Sequence, residues 1–189
     1  MKVTIPTILT LFRILLIPVL IVVYYLPLSW THPWTNFAAT FVFVLGALTD
    51  WADGWIARRW NQTSAFGAFL DPVADKLAVT VALLLIMELH PSHWMTMLAI
   101  VIIGREIAIS ALREWMAEVG QGRKTKVAWL GKLKTIVQMV AISLLLYRQN
   151  LLGLPTFRIG LELLGVAAAL TLMSAYSYLR AAWPSLRGD

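Results

Sequence analysis

The sequence predicts an all-α, polytopic membrane protein with six transmembrane helices around a cytoplasm-facing polar cavity. Three observations lead there. Of 189 residues, 59% are hydrophobic, and the mean hydropathy is +0.74. Only 14% are charged, against about 25% in an average soluble domain. The charges also recur at one depth in five of six apolar stretches. A soluble domain of this composition would leave too much apolar surface in water, whereas six spans of about 20 residues need roughly 120 residues. Residues 1–189 are therefore expected to form a single membrane domain. The chain has no cysteine, which excludes disulfides, thiolate chemistry and Cys-ligated metal. A net charge of +6 in such a protein points to anionic headgroups and anionic substrates, not nucleic acid.

The first stretch, roughly Thr7–Pro27, contains Arg13 and Pro18 and lacks a small-residue cleavage site, so it is expected to be a retained span. Asn36–Ile56 is the second, followed by an expected turn over Arg59–Leu70. Pro72–Leu89, Trp94–Trp115, Val127–Tyr147 and Phe157–Leu179 complete the set. At 1.5 Å per residue each can cross a hydrocarbon core of about 30 Å. Lys2, Arg58, Arg59, Arg123, Lys124, Lys126, Arg180 and Arg187 collect on one side, while the opposite loops hold only Arg148. The positive-inside rule makes the first side cytoplasmic, with both termini inside. His32, His90 and His93 fall on the outer side, where they read as interfacial residues. Trp residues near both predicted interfaces fit an aromatic belt.

Counted from the outer end, runs of eleven to fourteen residues, uncharged except for Glu88 at the rim of the third, end at Arg13, Asp50, Lys76, Arg105 and Lys134 in spans one to five. Such runs reach only about 16–21 Å. The cytoplasmic third of the membrane is thus lined with charge, which is costly unless it faces protein or water. Lys and Arg can snorkel to the surface, but the short Asp side chain cannot. These depths imply a polar cavity walled by spans one to five. The sixth span carries charge only near its outer end and is expected at the periphery.

Four of the five aspartates lie in one pattern: Asp50-x-x-Asp53-Gly54-x-x-Ala57-Arg58, eight residues, then Gly67-x-x-x-Asp71-x-x-x-Asp75. Asp50 and Asp53 share a helix face at i, i+3, and Asp71 and Asp75 share one at i, i+4. A turn between the helices brings all four carboxylates to the same end. Recessed carboxylates repel and desolvate one another, and two divalent cations would neutralise them. All-oxygen ligands point to Mg²⁺ or Mn²⁺. Gly54 and Gly67 leave room for a ligand, Arg58 can grip a phosphate, and Thr63 and Ser64 supply hydroxyls. Two metals, an Arg and small residues describe a diphosphate site suited to in-line phosphoryl-type displacement.

This pattern is the signature that identifies the chain as resembling the CDP-alcohol phosphotransferase family. The resemblance extends over nearly the whole chain. It includes Ile5-Pro6-Thr7-Ile8-Leu9-Thr10-Leu11-Phe12-Arg13, Asp71-Pro72-Val73-Ala74-Asp75-Lys76, Gly104-Arg105-Glu106, Ala111-Leu112-Arg113-Glu114-Trp115 and Gly131-Lys132-Leu133-Lys134-Thr135. Many members carry Asn where Thr7 stands. The resemblance implies transfer of the phosphatidyl group from CDP-diacylglycerol to sn-glycerol 3-phosphate, giving phosphatidylglycerophosphate and CMP. It implies metal binding by Asp50, Asp53, Asp71 and Asp75, with Asp75 also the general base. It implies that Thr7, Thr10, Gly54, Arg58, Ser64 and Gly67 hold the donor's nucleotide and diphosphate. A homodimer among lipids of the bacterial inner membrane is also implied, its active site facing the cytoplasm.

The residues themselves favour such a substrate pair. A cavity recessed in one leaflet lets acyl tails stay in lipid while the diphosphate reaches metal. Arg105, Arg113, Lys132 and Lys134, with Arg13, lie at about cavity depth and form a candidate pocket for the acceptor phosphate. Each could instead be an ion-pair partner, Arg105 or Arg113 with Glu106 or Glu114 for example. The signature alone leaves open another acceptor, such as inositol phosphate, serine or phosphatidylglycerol. A transporter is the rival outside this reaction class, and it is disfavoured because the outer two-thirds of each span is almost free of charge.

Overall fold

The computed structural model describes residues 5–26, 33–60, 65–120 and 129–186. Among these it forms six helices: α1 Ile5–Tyr24, α2 Pro33–Trp60, α3 Ala65–Leu89, α4 His93–Glu118, α5 Trp129–Tyr147 and α6 Thr156–Leu186. The single β feature among the described residues is an isolated bridge between Leu151 and Leu154. The predicted all-α class holds. α1, α4 and α6 are each long and apolar enough to cross a membrane.

Two boundaries depart from the sequence reading. The turn expected over Arg59–Leu70 is shorter, because α2 runs to Trp60 and α3 already begins at Ala65. Pro72 consequently lies inside α3 rather than at its start. Proline removes one backbone donor, yet membrane helices tolerate it where neighbouring groups compensate. Asp71 and Asp75 therefore sit on an established helix, held by more than one preceding turn. At the opposite end, Ser92 caps α4 by accepting a hydrogen bond from the Met95 amide at 3.1 Å.

α1 packs against both α2 and α3, and α3 also meets α4 and α5. α5 lies along α6 and reaches α2, while α6 also touches α4. The α5–α6 seam is close because Gly160 lies there; a Cβ at that position would come within 3.0 Å of the Ala141 carbonyl oxygen. Small residues permit such approaches between membrane helices. The backbones of α4 and α5 do not meet among the described residues, and α6 spans the gap between them. This corrects the expected peripheral position of the sixth span. Lying along two helices that do not touch each other, α6 becomes part of the cavity wall.

The apolar core includes Leu20, Phe43, Leu83, Ile86, Ile102 and Leu145. At the end of the bundle away from Asp71 and Asp75 the Tyr24 hydroxyl donates to the Leu85 carbonyl and Tyr25 donates to the Glu88 carboxylate. His90 packs on Phe157 with ring centres 4.2 Å apart. Leu15, Val22, Ile100, Ile107, Ile136 and Leu172 are exposed, as suits helices that face lipid.

Candidate active site

The antiparallel α2 and α3 place Asp50 beside Asp71 and Asp75, each half-buried, with one carboxylate oxygen from each within 4.8 Å of the others. α1 lies against both helices and inserts Arg13 among the acids. Arg13 is only 2% exposed, and its Nη1 lies 2.9 Å from Asp50 Oδ1, 3.1 Å from Asp71 Oδ1 and 2.5 Å from Asp75 Oδ1. A guanidinium that reaches three carboxylates at once is a stand-in cation. The donor set is hard oxygen throughout and suits Mg²⁺ or Mn²⁺. The acids therefore fit the divalent cation that their spacing predicts.

The same acids form one wall of a cavity of about 350 Å³. Arg105, Arg113, Lys134, Glu106, Gln138 and Tyr178 line another part of it. Lys134 is buried, and its Nζ donates to Glu106 Oε1 at 2.7 Å. Arg105 Nη2 donates to Ser174 Oγ at 2.6 Å, and its guanidinium stands 6.0 Å from the Tyr178 ring centre. Arg113 is exposed at the rim. Of the pairings the sequence left open, Glu106 takes Lys134 rather than Arg105. The Coulombic attraction of a buried pair is strong, so Lys134 is held in a fixed position.

The structure brings together Asp50, Asp71, Asp75, Arg105, Arg113 and Lys134 at one cavity. It does not bring Lys132 there: this residue is exposed on α5 and is not part of the lining. Two residues from Lys134, it points to a different face of the helix. Thr7 and Thr10 are buried on α1, about two turns and one turn before Arg13 respectively. Gly67 lies one turn before Asp71 on α3. Asp53, Gly54 and Arg58 belong to α2, but their side chains lie outside the described residues, as does Ser64 altogether.

Sequence reasoning passed over Gln138, Ser174 and Tyr178, and it placed Arg13 with the phosphate-binding residues rather than among the acids. A signal existed for Gln138. It is the lone amide in an otherwise apolar run, one turn after Lys134, and an amide in such surroundings needs partners. Ser174 and Tyr178 gave none, because nothing in the sequence says which face of α6 meets α4.

A family model for CDP-alcohol phosphatidyltransferase matches residues 3–179. Curated proteins from Escherichia coli (strain K12), Shigella flexneri and Shigella boydii serotype 4 (strain Sb227) are each 52% identical to this chain over 182 residues. The match covers 96% of this chain and 96% of each relative. All three carry the name CDP-diacylglycerol–glycerol-3-phosphate 3-phosphatidyltransferase.

Proposed function

We infer the activity from one premise: this chain belongs to the CDP-alcohol phosphatidyltransferase family. The protein transfers the phosphatidyl group of CDP-diacylglycerol to sn-glycerol 3-phosphate, yielding phosphatidylglycerophosphate and CMP. The observation that carries the reading to this site is the cavity itself. Four carboxylates, three of them the clustered aspartates, and four cations line one space of about 350 Å³, enough for a phosphorylated three-carbon alcohol beside a diphosphate.

In the proposed mechanism Asp50, Asp53, Asp71 and Asp75 hold two divalent cations, Mg²⁺ or Mn²⁺. Bound there, the cations would neutralise the diphosphate and stabilise charge on the attacking and leaving oxygens. Thr7, Thr10, Gly54, Arg58, Ser64 and Gly67 hold the donor's nucleotide and diphosphate. Lys134, Arg105 and Arg113 hold the acceptor phosphate, with Lys134 and Arg105 already fixed by Glu106 and Ser174. Asp75 takes the proton from the glycerol C1 hydroxyl. The oxygen so freed attacks the phosphorus that bears diacylglycerol, a new P–O bond forms, and the bond to CMP breaks. Preorganised partners supply most of the advantage, because little covalent chemistry falls to the protein in such displacements.

The basic residues near the cavity end of the bundle support placing that end at the cytoplasmic face of a bacterial inner membrane. All six helices are proposed as spans. The reading is tested by incubating purified protein with CDP-diacylglycerol and a panel of alcohols, following CMP release. Release is expected with sn-glycerol 3-phosphate and Mg²⁺, and it should disappear with a chelator and return when Mg²⁺ is restored. Chelator-resistant turnover would remove the metal assignment. Turnover with only another alcohol would remove the acceptor assignment.

A further inference from the structure

Gln138 has no part in the mechanism above, yet it is 2% exposed and lines the cavity. Its Nε2 donates to Glu106 Oε1 at 3.3 Å, and its Oε1 is buried without a hydrogen-bond partner. A carboxylate only accepts, so Glu106 fixes which end of the amide faces it. The carbonyl end must then look elsewhere for a donor. Leaving such an acceptor unsatisfied is costly, and in a cavity wall, where the buried Arg105 Nε is likewise without a hydrogen-bond partner, it marks a position suited to a ligand's donor.

The placement of Glu106 is also unusual. A carboxylate in the wall of an anion pocket opposes the ligand unless it has another task. It joins α4 to α5, whose backbones do not meet among the described residues, so the bond crosses the cavity margin instead of stapling packed helices. Its two contacts order one donor, Lys134, and one acceptor, Gln138. Those residues stand one turn apart on the same face of α5, about 6 Å along the axis. In sn-glycerol 3-phosphate the phosphate occupies one end carbon, the unreactive hydroxyl the middle carbon and the reacting hydroxyl the far carbon.

We propose that Gln138 Oε1 accepts a hydrogen bond from the middle hydroxyl of the acceptor and determines specificity for it, with Glu106 as the positioning residue that orients the amide. The proposal rests on the reaction inferred above. It makes the acceptor site a reader of three groups in order: phosphate at Lys134, middle hydroxyl at Gln138 and reacting hydroxyl at Asp75. A site built to bond a hydroxyl strongly rejects the analogue that lacks it.

The test compares sn-glycerol 3-phosphate with 3-hydroxypropyl phosphate, which has the phosphate and the reacting hydroxyl but no middle one. Both are assayed with the full-length protein, CDP-diacylglycerol and Mg²⁺. The unaltered protein should prefer sn-glycerol 3-phosphate in kcat/KM by about tenfold or more. Gln138→Met should collapse that preference towards unity, mainly through loss on sn-glycerol 3-phosphate. Glu106→Gln, which lets the amide turn over, should reduce the preference partway without raising KM for CDP-diacylglycerol. Equal use of both acceptors by the unaltered protein would overturn the proposal, as would Gln138→Met lowering both equally. If Gln138→Met does not fold, the unaltered protein and Glu106→Gln still decide. An unaltered protein that releases no CMP with either acceptor would overturn the reaction, and the inference with it.

Discussion

On one wall of the cavity Asp50, Asp71 and Asp75 crowd around the guanidinium of Arg13; on the other, the carboxylate of Glu106 stands among Arg105, Arg113 and Lys134 and pairs with Lys134. Lys76 also lines the cavity beside the acids, and Arg13 and Glu106, each among several opposite charges, are used differently. Arg13 reaches all three acids within 3.1 Å. Among the described residues Glu106 bonds only Lys134 of the cations, while Arg105 is held by the neutral Ser174 and the face of Tyr178. The acidic wall is organised around a central cation, the arrangement a divalent ion would use. The basic wall keeps positive charge to spare, which is what a phosphate dianion needs. On both walls the charge faces the cavity and neighbouring side chains, the setting that charged groups in a membrane protein require.

The most severe way to break the acidic wall is Asp75→Asn. Turnover should fall by about 10³-fold or more, since a base and a metal ligand are lost together, while far-UV circular dichroism stays helical. Activity near that of the unaltered protein would remove Asp75 from the mechanism. The basic wall is tested by a pair of variants. Lys134→Ala should raise KM for sn-glycerol 3-phosphate about 10- to 100-fold, with KM for CDP-diacylglycerol little changed. Lys132→Ala, on another face of α5, should change it less than about twofold. Equal effects of the two lysines would mean that the cavity does not select between them.

The comparison is sharpened by Arg13→Ala. It leaves three carboxylates without their cation, and breaking a buried pair from one side is strongly destabilising. In a chelator its melting temperature should fall by about 5 °C or more. Mg²⁺ should recover most of the loss, so that the Mg²⁺-induced rise is larger in the variant than in the unaltered protein. An equal fall with and without Mg²⁺ would mean that Arg13 serves packing rather than the charge of the acids.

Much of this was legible before folding. The six apolar stretches map onto α1 to α6, because hydrophobic length is set by bilayer thickness and survives any arrangement of neighbours. Asp71 and Asp75 share a face for a local reason, the 3.6-residue period, and Lys134 and Gln138 do so likewise. The start of α3 was misjudged because Pro72 reads as a boundary in water-soluble helices, whereas a membrane helix continues through it. The peripheral reading of α6 failed because charge content reveals which spans carry ionisable groups, not which spans support them.

The sequence by itself determined that the protein is a helical membrane protein, which side chains share each helix face, and that acids and bases lie at a common depth. These are consequences of composition and helical period, both local properties. Only the tertiary structure decided that Arg13 joins acids 58 and 62 residues away along the chain, and that Glu106 takes Lys134, 28 residues on, in preference to its neighbour Arg105. Such choices depend on which helices touch and how each is rotated. Packing shape settles that, and periodicity within a single helix carries no record of it.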